Sequence, residues 1–142
     1  MTATALEPFS TTVQKSDEWL HCLMEELHSK DTHKAYRVLR ATLHALRDRL
    51  TPQESAHLAA QLPMLIRGLY YEGYNPDRTP IKERSLPEFL EHISEELMMP
   101  TDPSPEVAAR LVFRLLHESV SEGEVEDVKD MLPKAVRSLW PA

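Results

Sequence analysis

Two pairs of residues have a spacing that can bind metal ions. Glu25 precedes His28 by three positions, and Glu54 precedes His57 by three positions. On a helix, a Glu-x-x-His pair places a carboxylate and an imidazole on one side, and di-iron carboxylate bundles use two such pairs. This spacing raises the hypothesis of a metal-dependent enzyme.

The expected positions of these pairs on their helices argue against a metal site. Glu25 points about 180° away from the apolar stripe that contains Trp19 and Leu23, at roughly 100° per residue. Glu54 follows Thr51 by three residues, which is the spacing of a capping box and gives this carboxylate another role. We therefore predict that both pairs lie on solvated faces, with no metal ligand and no cofactor.

No established catalytic motif is found in the sequence. The chain has only three glycines, and it contains no phosphate-binding loop, nucleophile elbow, HExxH or CxxC pattern. The single cysteine, Cys22, has no assured cation beside it, so we expect an inert, half-buried thiol. We predict no catalytic residues and favour a protein that is not an enzyme.

Basic residues follow one side of the second predicted helix. They occupy an arc opposite its apolar positions, which include Ala35, Leu39 and Leu46. A continuous positive face can bind phosphates or an acidic protein, whereas the alternative is a solvated face paired with the chain's own carboxylates. The candidate polyanion-binding residues are Lys30, Lys34, Arg37, Arg40, His44 and Arg47.

Two arginines recur at the same distance after a proline. Arg67 follows Pro63 by four residues, and Arg137 follows Pro133 by four residues. Each guanidinium can pair with a carboxylate at the bend or bond a carbonyl group that the proline leaves without its donor. We expect a structural role for both, with binding of an anionic ligand as the alternative.

The sequence segments that contain several of these residues occur in two similar copies. Residues 51–71 align without a gap with residues 121–141, an offset of 70. Such self-similarity indicates an internal duplication, and the hydroxyl followed by glutamate predicts a capping box in each copy. The aligned pairs include Thr51 with Ser121, Glu54 with Glu124, Pro63 with Pro133, and Tyr70 with Trp140.

Apolar periodicity predicts helices throughout the chain. The first helix is expected to start at Ser16 or Asp17, and the second near Asp31 or Thr32, ending at about Leu50. In the second copy, Pro105 suits a first helical position. No alternating strand pattern persists. We predict an all-α protein of six to eight helices, with two copies of about 70 residues packed as one helical bundle.

The predicted domain organisation follows the duplication. Residues 1–12 are expected to form a flexible N-terminal arm, and residues 13–142 a single helical domain. Within that domain, repeat one covers residues 13–72, a linker covers 73–86, and repeat two covers 87–142. The aromatic residues Tyr70, Tyr71, Tyr74 and Trp140 are expected to cover the seam between the repeats, or to mark a partner site if exposed.

Charge and composition indicate the cellular compartment and the kinds of partner that we expect for the chain. The net charge of −7 makes a general nucleic-acid binder unfavourable, although a local basic stripe could still act. One cysteine cannot form an internal disulfide, and no run of about 18 apolar residues occurs. We expect a soluble cytoplasmic protein with no membrane contact, an unknown protein partner, and either a monomer or a homodimer.

A longer stretch resembles a known family. The run from Arg40 to Pro76 contains the blocks LRDRLTP, AAQLP and RGLYYEG. Together they resemble a family of small bacterial helical proteins known as domain of unknown function 2267, with Tyr74 in an aromatic position where a tryptophan is expected. The resemblance implies a repeated, all-helical unit and no assigned activity.

These observations favour one class of function over two others. Because the residues shared by both copies are caps, prolines and core positions, we predict a non-enzymatic interaction or scaffold module. The alternative is recognition of a nucleic acid or another polyanion by the basic helix face. The least favoured is a metal-dependent enzyme using Glu25, His28, Glu54 and His57.

Overall fold

The computed structural model describes residues 6–98 and 102–142. Within these ranges the chain forms eight α-helices, one short 3₁₀ helix at Pro76–Arg78 and no strand, which confirms the predicted all-α class. The helices are α1 (Glu7–Glu26), α2 (Thr32–Arg47), α3 (Pro52–Ala59), α4 (Met64–Tyr71), α5 (Leu86–Leu97), α6 (Pro105–Ser119), α7 (Glu122–Asp130) and α8 (Lys134–Arg137).

The first helix begins earlier than the sequence predicts. It starts at Glu7 rather than near Ser16, so residues 7–12 are helical and not an arm. Pro8 lies in the first turn, where its missing N–H is tolerated and its fixed φ suits a helix. Thr12 is buried, and its hydroxyl accepts a hydrogen bond of 3.1 Å from the backbone N–H of Leu65. Residues 1–5 of the predicted arm lie outside the described residues.

Several predicted helix starts are confirmed by their caps. The carboxylate of Asp31 accepts hydrogen bonds from the first turn of α2 at 3.0 and 3.3 Å. The Thr51 hydroxyl caps α3, which begins at Pro52, and Pro105 begins α6. The predicted breaks at Pro63 and Pro133 are also present, because these residues immediately precede α4 and α8.

Helix α2 lies at the centre of the fold. It contacts α1, α4, α5 and α6, and most of its side chains are buried. The predicted core positions Ala35, Leu39 and Leu46 are inaccessible to solvent. Because four helices surround α2, its burial extends well beyond the single apolar stripe.

Aromatic side chains complete the core at two places. The Trp140 ring stacks on Phe113 with 4.4 Å between ring centroids, and Phe113 also contacts Phe89. Tyr70 is fully buried, with its hydroxyl 2.8 Å from the Ser55 hydroxyl. These contacts anchor α4 and the C-terminal residues against the other helices.

In the described part of the chain, none of the helices combines the length and the apolar character needed to cross a membrane.

Candidate functional site

Arg47 is a structural residue rather than part of a positive surface. Its side chain is 5 % exposed, and its guanidinium donates to the carbonyl groups of Tyr70 (2.7 Å) and Glu72 (2.6 Å). It also donates to the Asp48 carboxylate at 3.0 Å. Arg47 therefore holds the end of α4, whose last carbonyls have no partner within the helix.

His44 is also buried, between α4 and α5. Its Nδ1 lies 2.9 Å from the Glu96 carboxylate, and its Nε2 lies 2.8 Å from the Leu69 carbonyl oxygen. Both partners accept hydrogen bonds, so each ring nitrogen of His44 faces an acceptor inside the fold. The prediction that His44 and Arg47 extend an exposed basic face is therefore wrong, because α4 and α5 cover that side of α2.

Two further basic residues of α2 pair with carboxylates. Lys34 bonds Asp102 at 2.9 Å, and Arg40 bonds Glu72 at 2.8 Å and Glu96 at 3.2 Å. Lys30 and Arg37 are exposed at the outer part of this region. The six predicted residues therefore do not form a continuous positive surface. Polyanion binding by this helix stays a prediction, and fewer of its cations are free of carboxylate partners than the sequence indicates.

Arg67 and Arg137 compensate for the prolines that precede them. Arg67 Nε donates to the Ala59 carbonyl at 2.9 Å, the group that a non-proline residue at position 63 would bond in a continuous helix. Its Nη2 donates to the Leu62 carbonyl at 3.1 Å, and Arg137 Nη2 donates to the Leu132 carbonyl at 3.3 Å. Each guanidinium therefore bonds a carbonyl group beside its proline, and binding of an anionic ligand stays the alternative.

Arg49 is a buried cation that the helical pattern does not indicate. It donates to the Ala45 carbonyl at 2.9 Å and to Glu83 at 3.3 Å, and it lies 4.9 Å from the centre of the Phe89 ring. Burial is the largest cause of the lowered pKa of its guanidinium. Through Glu83, this side chain fixes the segment that connects the 3₁₀ helix to α5.

That connecting segment forms one wall of a cleft with a volume of about 990 Å³. Backbone anchoring holds it in place, since Ile81 N–H donates to the Asp48 carbonyl at 2.8 Å. Exposed Arg78, Lys82 and Arg84 line the cleft, and none has an ion pair with the carboxylates that the structure describes. Apolar atoms line it as well, from Pro80, Ile81, Met131 and Pro133.

The first turns of α3 and α7 differ from the predicted capping boxes. Thr51 and Ser121 accept from the backbone N–H groups of Glu54 and Glu124 at 3.2 and 3.3 Å, but the described structure lacks the return bonds from the two glutamates. Both glutamates are buried instead. The complete capping box is at α5, where Ser85 caps the helix and its N–H donates to Glu88.

The two buried glutamates face one another across the α3–α7 contact. Burial raises the pKa of the Glu124 carboxyl to about 8, with a hydrogen bond to Glu54 and the charge of Glu54 as further causes. His57, one turn beyond Glu54, places its Nδ1 4.0 Å from the Glu54 carboxylate. One ligand atom from each of Glu54, His57 and Glu124 lies within 4.8 Å of the other two.

The other residues considered for chemistry lie apart from this cluster. Glu25 and His28 are exposed, and His28, which follows the end of α1, has a positive φ of 52°. Cys22 is half-buried, and burial raises the pKa of its thiol. A raised pKa lowers the thiolate fraction at neutral pH, as expected for an unreactive cysteine.

Comparison with known proteins places the chain in a family. The model of a family described as "Uncharacterized conserved protein (DUF2267)" matches residues 16–139. No curated protein matches the chain. The matched residues cover every helix except the first turns of α1. The chain therefore belongs to the DUF2267 family of uncharacterised conserved proteins.

Proposed function

We propose that the chain is a non-enzymatic interaction module that binds an acidic segment of a protein partner. The binding site is the cleft beside residues 77–84. The observation that carries this proposal is that the three exposed cations of the cleft, Arg78, Lys82 and Arg84, lie together without carboxylate partners in the described structure, whereas seven other lysines and arginines are ion-paired.

The charge of the cleft is opposite to that of the molecule. Four cations line it, Arg49, Arg78, Lys82 and Arg84, against the two acids Asp77 and Glu83, which gives a local charge of +2. The whole chain has a net charge of −7. A partner segment with carboxylates is attracted to this one region, and electrostatic complementarity of this kind supplies specificity and a faster encounter.

The apolar lining indicates which kind of acidic segment fits. Pro80, Ile81 and Met131 offer surface to apolar side chains placed between the acids of the partner. No aromatic side chain lines the cleft, so a stacking platform for nucleic-acid bases is lacking there. An acidic peptide with interspersed leucines therefore fits this cleft better than a single-stranded nucleic acid.

Fluorescence anisotropy with a labelled peptide of alternating glutamates and leucines tests the proposal. We expect saturable binding by the wild-type chain that weakens with added salt, and a loss of roughly tenfold in affinity for the triple variant Arg78→Ala, Lys82→Ala, Arg84→Ala. The matched control is Arg110→Ala, Arg114→Ala, Lys129→Ala, which removes the same charge from ion-paired surface positions.

Two results contradict the proposal. Equal loss of affinity in both triple variants would show that only net charge matters, not the cleft. Tighter binding of a single-stranded oligonucleotide than of the peptide would favour the polyanion class instead.

We further propose that the fold consists of two related units of about 70 residues within one domain. Residues 70 positions apart support this: α3 and α7 begin at Pro52 and Glu122, and α4 and α8 begin at Met64 and Lys134. The α1 and α5 helices both end at residues with positive φ, His28 at 52° and Met98 at 57°. An experimental structure in which residues 52–71 do not superpose on 122–141 would contradict it.

A cytoplasmic location is part of the same proposal. Cys22 is the only cysteine, so an internal disulfide cannot form and an oxidising compartment offers the chain no cross-link. Cell fractionation with an antibody to the chain tests this location, and recovery outside the cytoplasmic fraction would contradict it.

A further inference from the structure

The α3–α7 contact contains an unusual arrangement of buried carboxylates. Glu54 and Glu124 are each only 8 % exposed, and neither has a lysine or arginine partner in the described structure. The Oε2 atom of each is buried without a hydrogen-bond partner among the described residues. Buried carboxylates are normally paired, hydrogen-bonded or bound to a metal, so these two oxygens are candidates for binding a cation or sharing a proton.

A third side chain completes a set of metal ligands. His57 lies one turn after Glu54 on α3, with its Nδ1 4.0 Å from Glu54 Oε1. An imidazole nitrogen with two carboxylate oxygens suits a first-row divalent transition metal of the zinc class. His57 is largely exposed, so an ion can reach the buried oxygens from solvent.

We propose that Glu54, His57 and Glu124 bind one divalent metal ion of the zinc class. The chosen ligand atoms lie within 4.8 Å of one another, while metal–ligand bonds of about 2.0 to 2.2 Å bring such atoms to roughly 3.3 Å apart. The exposed imidazole can approach the two carboxylate oxygens by rotating its side chain. The ion would neutralise two facing carboxylates.

The position of the site indicates a structural role. Glu54 and His57 come from α3, and Glu124 comes from α7, so one ion would link residues 52–59 to residues 122–130. An ion that binds only the folded chain stabilises it in proportion to its affinity and concentration.

The experiment uses untagged chain stripped with EDTA and dialysed, because an affinity tag would itself bind zinc. Isothermal titration with Zn²⁺ is expected to show one ion per chain, and Zn²⁺ is expected to raise the melting temperature. The variants Glu54→Gln, Glu124→Gln and His57→Ala are each expected to weaken Zn²⁺ binding by roughly tenfold or more.

Two controls separate this site from ordinary surface binding. Glu25→Gln alters the other Glu-x-x-His pair, and His33→Ala removes an exposed histidine; both are expected to leave Zn²⁺ affinity unchanged. Circular dichroism in EDTA checks that the glutamine variants are folded.

Zn²⁺ affinity retained in Glu124→Gln, or no Zn²⁺ binding by the wild-type chain at 100-fold excess, would overturn the proposal. Absence of binding would leave a proton shared between Glu54 and Glu124 as the explanation of the pair. Peptide binding by the cleft is measured in EDTA, so the two proposals fail independently.

Discussion

Arginine side chains in this protein bond backbone carbonyl groups that helix breaks leave without donors. Arg67 does so after Pro63, Arg137 after Pro133, and Arg47 at the end of α4. A planar guanidinium can reach two carbonyls at once, which an ammonium group on a lysine does less well. These three arginines therefore contribute hydrogen bonds to the fold.

Arg67→Ala is expected to lower the free energy of unfolding by about 1 to 3 kcal/mol, because it leaves the Leu62 carbonyl without a donor and removes one of the two donors to the Ala59 carbonyl. Urea denaturation followed by circular dichroism measures this change. The control is Arg110→Ala, which removes only an exposed i,i+4 ion pair and should cost about 0.5 kcal/mol or less. Equal effects of the two substitutions would contradict the structural role.

The raised pKa of Glu124 predicts how the metal-free chain responds to pH. In the folded state this carboxyl holds its proton up to about pH 8, whereas in the unfolded state it loses the proton near its ordinary pKa of 4.5. Its contribution to stability is therefore complete below pH 4.5 and is lost as pH rises to about 8. Between these values the folded chain binds more protons.

In EDTA, Glu124→Gln is expected to be more stable than the wild-type chain at pH 8.5, with a gain of roughly 3 °C or more in melting temperature. The gain should disappear at pH 4.5, where the wild-type carboxyl is also neutral. Thermal unfolding across this pH range measures the difference, and a gain that does not depend on pH would be inconsistent with the raised pKa.

At the scale of elements, α2 organises the molecule because four other helices pack against it. Its start at Asp31 and its apolar positions could be predicted from sequence, since caps and periodicity are local properties. The burial of His44 and Arg47 could not, because one helix's pattern does not tell how many helices surround it. The meeting of Glu54 and Glu124 is also a long-range contact that local spacing does not indicate.

The early start of α1 has a different cause. The sequence MTATALEPFSTT is polar and contains a proline, which indicates a loose segment. The proline instead falls in the first turn of the helix, and α4 covers Thr12. The local sequence of this segment does not determine whether it is helical. Its packing against α4, which is distant in the sequence, stabilises the helix.

Leu43→Ala is expected to reduce the free energy of unfolding by about 2 to 5 kcal/mol, because Leu43 is fully buried in α2 and its loss creates a cavity. The control is Leu65→Ala in α4, whose side chain is 53 % exposed and should cost much less. Chemical denaturation of both variants checks the central position of α2. A cost of less than 1 kcal/mol for Leu43→Ala would show that α2 is not surrounded as described.

At the scale of the whole molecule, the cleft is a region of positive charge on an acidic chain. Elsewhere in the described chain, most lysines and arginines bond carboxylates or backbone carbonyl groups. Arg78, Lys82 and Arg84, by contrast, are exposed beside a cleft that apolar residues also line. The sequence predicts a basic face on α2, because the basic residues of that helix recur with helical periodicity. The cleft residues lie in an irregular segment, and only the packing of that segment against residues 48–51, which connect α2 to α3, gathers them into one site.

The measurement that tests the central claim most directly is nuclear magnetic resonance mapping of the labelled chain as the acidic, leucine-containing peptide is added. We expect the largest changes in amide chemical shift at residues 77–84, with smaller changes at Arg49 and Met131, and none of comparable size along the outer part of α2. Changes centred on Lys30 and Arg37, or no changes at saturating peptide, would contradict the assignment of the cleft as the binding site.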